Sequence, residues 1–235
     1  MRQNQAHVQP GFVSSDPMAT KKTSTAAEAP GASAYVLRIQ LRGTKPAIWR
    51  EVWVDAAITL RQLHHIIQAA MGWEEAHLHG FAVPGSGRAG RYWGIAPQLR
   101  YEPPSADMGF GDPSPDDARV RLAQLLRAPK DKLLYLYDYG DDWEHLVALK
   151  KIITTAEPLP LLVGAAETCP PEDCGGVHGY YELADALADP QHPQHAELRE
   201  WYEGMEPGPL DQAAFDDLAD AVAALRRKPG CKPVR

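Results

Sequence analysis

The chain has 235 residues, of which 44% are hydrophobic, and a formal net charge of −7. This length and apolar content are sufficient for one domain with its own hydrophobic core. The longest apolar runs, such as residues 159–166, are far shorter than the roughly 20 residues that a membrane-spanning helix needs, so no membrane partner is expected. Three cysteines and no secretory leader at the start predict a reducing, cytoplasmic location without disulfides.

The negative charge is concentrated in the third quarter of the chain. Residues 167–220 contain 14 acidic side chains and one basic side chain, Arg199. A surface built from them would repel a phosphate backbone and attract a basic protein or peptide. A solvated acidic helix face is the simpler interpretation. DNA association would need the first half of the chain or the basic tail, whose positive residues are Arg226, Arg227, Lys228, Lys232 and Arg235.

The two ends of the chain differ in composition from the middle. Residues 1–33 are rich in Ala, Pro, Ser, Thr and Gln and have no apolar period, so we predict a disordered tail. Within it, Met18 is an alternative to Met1 as the start of translation. Residues 229–235 are predicted to form a flexible basic tail, which leaves one domain over residues 34–228.

The first strong pattern is a pair of strands followed by a helix. Residues 35–41 alternate between apolar and polar, as a half-buried strand does, and residues 48–54 form its predicted hairpin partner. Thr59 then precedes an apolar helical stripe, and Gln62 completes a capping box with it. Gly72 is the predicted end of this helix.

The rest of the chain predicts more strands and then helices. Strands are expected at residues 77–83 and near Tyr92, followed by a long connection and a short helix at 120–126. A second hairpin, predicted at residues 132–139 and 143–153, should be central in the sheet. Everything after it reads as helical, with helices at 180–188, 195–203 and 211–227. The order predicts an α+β fold, in which two hairpins and one packed helix form an antiparallel or mixed sheet that C-terminal helices follow.

Six motifs occur in a fixed order along the chain and carry a family resemblance. They are KPAIWREVWV, TLRQLHHIIQAAMGW, HLHGF, YLYDYGDDWEH, CPPEDCGG and GYYELADALADPQH. Over roughly residues 35–225 the sequence resembles the plasmid pRiA4b ORF-3-like domain family. The resemblance implies an intracellular α+β domain, and because some members are encoded on plasmids or insertion elements, it implies a link to mobile elements. Some members carry a resolvase-like label, but no serine set among arginines, as a serine recombinase needs, is visible here.

The motif YDYGDDWEH, at residues 137–145, concentrates ionisable side chains around one turn. Asp138, Asp141 and His145 lie in it, with Trp143 between them. Carboxylates beside a histidine can hold a divalent metal or act as acid and base. The alternative is a structural turn whose Asp side chains satisfy backbone donors, with Trp143 and His145 packed on the sheet.

A second candidate site is the loop CPPEDCGGVH at residues 169–178. Cys169, Cys174 and His178 could supply three ligands to zinc. Their spacing is unusual for a zinc site, which favours Glu172 and Asp173 as the working groups of a rigid loop.

Two further histidines, His77 and His79, are predicted to share a strand face and could join these groups. We also expect the turn and the loop to face each other across one cleft. The residues that would then converge are Asp138, Asp141, His145, Glu172 and Asp173.

Three functions are consistent with these patterns. A protein-binding or accessory module is favoured because the motifs contain no recognised catalytic constellation. A metal-dependent hydrolase would use Asp138, Asp141, His145, Glu172 and His79, with a divalent metal as cofactor. A DNA-associated accessory role is the third. The sequence does not separate an enzyme from a binding protein, and it indicates no oligomeric state.

Overall fold

The computed structural model describes residues 32–85, 99–106, 113–202 and 207–227, and it contains both predicted hairpins. In chain order the elements are β1 (Ala32–Leu41), β2 (Trp49–Asp55), α1 (Leu60–Met71), β3 (His79–Ala82), β4 (Arg100–Tyr101), α2 (Leu122–Leu125), β5 (Lys132–Tyr137), β6 (Trp143–Thr155), β7 (Leu161–Ala166), α3 (Gly176–Ala188), α4 (His195–Trp201) and α5 (Gln212–Ala224). Short 3-10 turns occur at Pro104–Ala106, Asp117–Arg119 and Leu225–Arg227.

Two predictions concern regions outside the described residues. The disordered tail was predicted over residues 1–33, of which residues 1–31 lie outside the described residues. Ala32 and Ser33 already belong to β1, so the prediction is wrong for these two residues. The strand expected near Tyr92, and the basic tail at 229–235, also lie outside the described residues.

The strands form one seven-stranded sheet in the order β4-β3-β5-β6-β1-β2-β7. Each neighbouring pair is antiparallel. This confirms the α+β prediction and selects its antiparallel alternative. The second hairpin is central, as predicted, because β6 pairs with β1 and joins the two hairpins side by side.

The period-two pattern of the first hairpin determines which residues form the core. Leu37, Ile39 and Leu41 of β1 are fully buried, and so are Val52 and Val54 of β2. Successive strand residues point to opposite faces, so one apolar set covers one face of the sheet.

Helix α1 covers this apolar face. The predicted capping box is present between Thr59 and Gln62, and Gly72 ends the helix in the left-handed conformation with φ 85°. Leu60, Leu63 and Ile67 of the helix are fully buried in the main core cluster. Helix α5 packs against both α1 and β7.

The prediction that the chain is helical after residue 153 is wrong for one segment. Residues 161–166 form β7, the edge strand that pairs with β2. The segment LLVGAA has no alternation of polar and apolar residues, so only its pairing partner defines it as a strand. The three predicted C-terminal helices are present as α3, α4 and α5. Among the described residues, no helix is both long enough and apolar enough to cross a membrane.

Candidate functional site

The turn between β5 and β6 and the loop that precedes α3 are in direct contact. The Asp141 carboxylate accepts a hydrogen bond from the Gly175 backbone N–H at 3.0 Å. The next residue, Gly176, has φ 68°, and a Cβ placed there would be 2.3 Å from the Asp141 carbonyl oxygen. Glycine is required at this position because the backbones of the two segments approach so closely.

Glu172 fastens the middle of the loop to the sheet. Its Oε1 accepts a hydrogen bond from the Tyr137 hydroxyl, and its Oε2 accepts one from the Glu74 backbone N–H at 2.8 Å. Burial, together with the nearby Glu172 carboxylate, raises the pKa of Tyr137, so the phenol keeps the proton that it donates. The Trp73 indole N–H also donates to the Pro170 carbonyl at 2.9 Å. The loop is therefore attached through Pro170 and Glu172 near its start and through Gly175 near its end.

Asp173, which lies between these attachment points, meets His77 and Asp138. The Asp173 Oδ1 is 3.2 Å from His77 Nε2, and the Asp138 Oδ2 is 3.7 Å from His77 Nδ1. One ligand atom from each residue lies within 4.8 Å of the other two. We call these residues the His-Asp-Asp group. Asp138 has φ 57° and Asp173 has φ 61°, so both carboxylates are presented from left-handed backbone positions that non-glycine residues seldom adopt.

The same loop also lines a cleft of about 550 Å³. We call it the acidic cleft. Four carboxylate residues and three aromatic residues line it: Glu74, Glu172, Asp173 and Asp217, and Trp73, Trp201 and Tyr202. Arg50 is the one basic residue among its described lining residues. Trp201 is 63% exposed, which leaves a large apolar ring open to a ligand at the wall.

Arg50 lines the acidic cleft, and its side chain is fully buried. Its Nε donates to the Ala70 carbonyl at 2.7 Å, and its Nη1 lies 2.9, 3.1 and 3.0 Å from the carbonyl oxygens of Trp49, Ala166 and Glu167. Its Nη2 has no hydrogen-bond partner among the described residues. Burial lowers the pKa of Arg50 from its usual value. Arginine nevertheless stays charged in proteins, so the lining of the cleft contains one positive charge.

Comparison with known proteins shows the family. Residues 33–219 match the sequence profile described as plasmid pRiA4b ORF-3-like protein. The chain belongs to the plasmid pRiA4b ORF-3-like family. The uncharacterized protein y4hQ of Sinorhizobium fredii (strain NBRC 101917 / NGR234) is 36% identical over 210 residues, which cover 84% of this chain and 94% of y4hQ.

A solved member of the same fold is also similar. The crystal structure of MM3350, a protein of unknown function from Methanosarcina mazei Go1, is 29% identical and superposes with a TM-score of 0.63. The match covers 77% of this chain and 96% of MM3350. The names of both relatives assign no activity.

Two residues of the predicted site belong to the core of the pRiA4b ORF-3-like domain. Trp143 and His145 are fully buried, and His145 Nδ1 is 3.1 Å from the Trp143 carbonyl oxygen. Burial lowers the pKa of His145 to about 4. The expected convergence of His145 with the carboxylates does not occur, because alternate residues of β6 point into the core once the strand begins at Trp143.

His77 and His79 were expected to share one face of a strand, and the structure does not place them so. His77 precedes β3 and belongs to the His-Asp-Asp group, whereas β3 begins at His79. His79 is buried, with its Nε2 2.8 Å from Asp117 Oδ2 and its ring stacked on His64 at 3.5 Å. Arg61 donates to the same Asp117 carboxylate. His79 is therefore part of a core network, not of the surface site.

The three residues considered for zinc do not form a three-ligand group. Cys169 and Cys174 are free thiols, and burial raises the pKa of each to about 12. Among the described residues, the groups of ligand atoms close enough to share one ion do not include Cys169, Cys174 or His178. The His178 side chain is 84% exposed and lies 3.5 Å from Glu182.

Sequence reasoning overlooked Arg50, although the pattern contained a signal for it. In the strand predicted at residues 48–54, a period of two places Arg50 on the same face as the apolar residues Ile48, Val52 and Val54. A buried arginine between apolar strand residues indicates a special role, because charged residues are rarely fully buried unless they are paired. No comparable signal marked Trp73 or Trp201 as cleft residues, because their positions depend on how the loop and α4 fold back.

Proposed function

We propose that this chain is a protein-binding module whose acidic cleft takes a basic segment of a partner protein. The observation that carries the proposal is the lining of the cleft, where four carboxylates and three aromatic residues surround one space. Carboxylates attract ammonium and guanidinium groups, and the faces of Trp and Tyr attract the same cations. The same carboxylates repel a phosphate backbone, so nucleic acid does not suit this cleft.

The charge of the surrounding surface supports the same partner. Part of the cleft wall comes from residues 167–220, in which acidic side chains outnumber basic ones by 14 to 1. An extended negative surface accelerates the approach of a positively charged partner and disfavours acidic competitors. Long-range attraction would therefore favour positively charged partners before any contact with the cleft forms.

The aromatic residues supply the packing part of the interaction. The rings of Trp201 and Tyr202 meet edge to face with centroids 4.3 Å apart, and Tyr202 itself is buried. The methylene stem of a lysine or arginine can lie along the exposed Trp201 ring while its charge stays near a carboxylate. Aromatic residues of this kind commonly contribute most of the binding energy of an interface.

The family description names a plasmid, which supports an accessory role linked to plasmids or other mobile elements. A cytoplasmic location fits the free thiols of Cys169 and Cys174.

The binding function can be tested with a short peptide in which lysine and alanine alternate, labelled at its N-terminus and followed by fluorescence anisotropy. We expect Trp201→Ala to weaken binding at least about fivefold. We expect Asp217→Asn to weaken it about two- to fivefold, with a smaller effect at high salt.

The matched control is Asp220→Asn, because Asp220 is exposed on the same helix but does not line the cleft. It removes the same charge and should change the affinity less than about twofold. Equal effects of Asp217→Asn and Asp220→Asn would mean that only net charge attracts the peptide. That outcome, or no binding at low salt, would refute a specific cleft.

A second function, a metal-dependent hydrolase, is favoured by the His-Asp-Asp group. One imidazole and two carboxylates are a ligand set that divalent transition metals accept. Three protein ligands leave coordination positions for water or substrate, and a metal bound there would supply an activated water. The residues that would hold the ion are His77, Asp138 and Asp173, whereas His145 and His79 are enclosed in the core.

Calorimetric titration with Zn²⁺ and Mn²⁺, on protein purified without chelator or histidine tag, tests this second function. We expect one ion per chain, and we expect Asp138→Asn to weaken its binding at least about tenfold. Asparagine tolerates the left-handed backbone conformation of this position, so the fold should survive. Asp142→Asn is the control, because Asp142 has φ 58° in the same turn but is not in the group. Absence of binding, or equal losses in both variants, would exclude the metal site.

A further inference from the structure

Arg50 carries a buried positive charge that no described carboxylate neutralises. All four hydrogen bonds that it donates end on backbone carbonyl oxygens, and none of the ion pairs among the described residues includes it. Buried charges in proteins are normally paired, because removing an ion from water is costly. Its Nη2 also lacks an acceptor, so the guanidinium has unused capacity for both charge and hydrogen bonding.

The neighbouring titratable groups do not supply the missing negative charge. Burial raises the pKa of Cys169 to about 12 in spite of the nearby Arg50, so its thiol is neutral at physiological pH. Burial also lowers the pKa of His145, a second neighbour of Arg50, to about 4, so its imidazole is neutral as well. No described side chain therefore supplies a counter-ion to Arg50.

The acidic cleft is the route by which such a group can arrive. Arg50 is one of its lining residues, while the carboxylates of Glu74, Glu172, Asp173 and Asp217 line the remainder. The lining therefore carries charges of both signs, one buried cation and several anions. A complementary ligand carries a carboxylate at its leading end and positive charges behind it. The C-terminus of a basic peptide has this arrangement.

We propose that Arg50 is the anchor for the C-terminal carboxylate of the basic segment that the acidic cleft takes. This inference rests on the proposed binding function and specifies which part of the partner enters the cleft. The carboxylate accepts the hydrogen bond that Arg50 Nη2 has free, and basic side chains of the preceding residues meet the acidic walls. A guanidinium nitrogen and a carboxylate form a charge-assisted hydrogen bond, which is stronger than a bond between neutral groups.

The test compares two forms of the lysine-alanine peptide on the unmodified protein, one with a free C-terminal carboxylate and one with a C-terminal amide. Amidation makes the peptide more positive, so attraction to an acidic protein alone would make the amide bind more tightly. An anchor at Arg50 makes the opposite prediction. We expect the amide to bind at least about tenfold more weakly, which corresponds to the loss of one hydrogen bond between charged groups.

The control is Trp201→Ala, which should weaken both peptides by the same factor and leave their ratio unchanged. Equal binding of acid and amide, or tighter binding of the amide, would overturn the anchor while the binding function stands. If neither form binds, the binding function and the anchor both fail. If free lysine competes as effectively as the peptide acid, the occupant is an amino acid and the peptide C-terminus is refuted. Arg50→Gln, where it folds, should abolish the difference between the two peptides.

Discussion

Replacing Asp117 by asparagine is expected to lower the free energy of unfolding by about 3 to 5 kcal/mol. Asp117 is fully buried, and its oxygens lie 2.8 and 2.9 Å from Arg61 Nε and 2.8 Å from His79 Nε2. Burial raises the pKa of Asp117, but the hydrogen bonds from His79 and Arg61 outweigh it and lower the pKa to about 2. Asparagine removes the negative charge and turns an amide N–H₂ towards groups that themselves donate. Chemical denaturation at neutral pH measures the loss.

The neighbouring carboxylate provides a matched control for this variant. Asp116 lies 3.6 Å from Arg61 and accepts a hydrogen bond from the Ala118 N–H at 2.9 Å as the cap of the 3-10 turn. Asparagine caps nearly as well as aspartate, so Asp116→Asn should cost less than about 1 kcal/mol. Comparable losses of unfolding free energy in Asp117→Asn and Asp116→Asn would contradict the prediction that the buried Asp117 contributes more to stability than Asp116.

The strands and helices that the sequence predicted correctly are those defined by local pattern. Alternation defined the first hairpin, and the Thr59 cap and Gly72 defined α1, because these signals lie within a few residues of the elements they specify. The strand β7 has no such signal. It forms because residues 161–166 pair with β2, and because Gly164 leaves room for the Trp49 ring, whose nearest atom would be 3.3 Å from an added Cβ.

The candidate site, like the fold, could be predicted only where the signal is local in the sequence. Residue chemistry alone identified the motif at residues 137–145 and the loop at residues 169–178 as candidate sites, and the structure brings these two segments into contact. Which side chains face each other depends on tertiary geometry. Arg61 and Asp117 are 56 residues apart, and no local pattern reports a contact over that separation. His145 was assigned to the turn because it is close in sequence, but the first residues of β6 already alternate between core and surface.

His145 also makes the stability of the domain dependent on pH. Its ring is fully buried, and burial lowers its pKa to about 4. In the unfolded chain a histidine has a pKa of about 6.5. Between these two values the unfolded chain binds a proton that the folded chain does not, so protonation favours unfolding. The contribution of His145 is therefore complete above pH 6.5 and is lost as the pH falls towards 4.

We expect His145 to account for about 3 kcal/mol of the stability lost between pH 7 and pH 4, because each unit of pKa difference is worth about 1.4 kcal/mol. Burial lowers the pKa of His64 to about 2, so it contributes over the same range, and the variant His145→Gln is needed to isolate the share of His145. Glutamine cannot titrate and can still donate to the Trp143 carbonyl.

Urea denaturation at a series of pH values measures this share. The free energy of unfolding should change less between pH 7 and pH 4 for His145→Gln than for the unmodified chain. Parallel profiles for the unmodified chain and His145→Gln would mean that the buried ring accepts a proton as readily as an exposed one, and would contradict its place in a closed core.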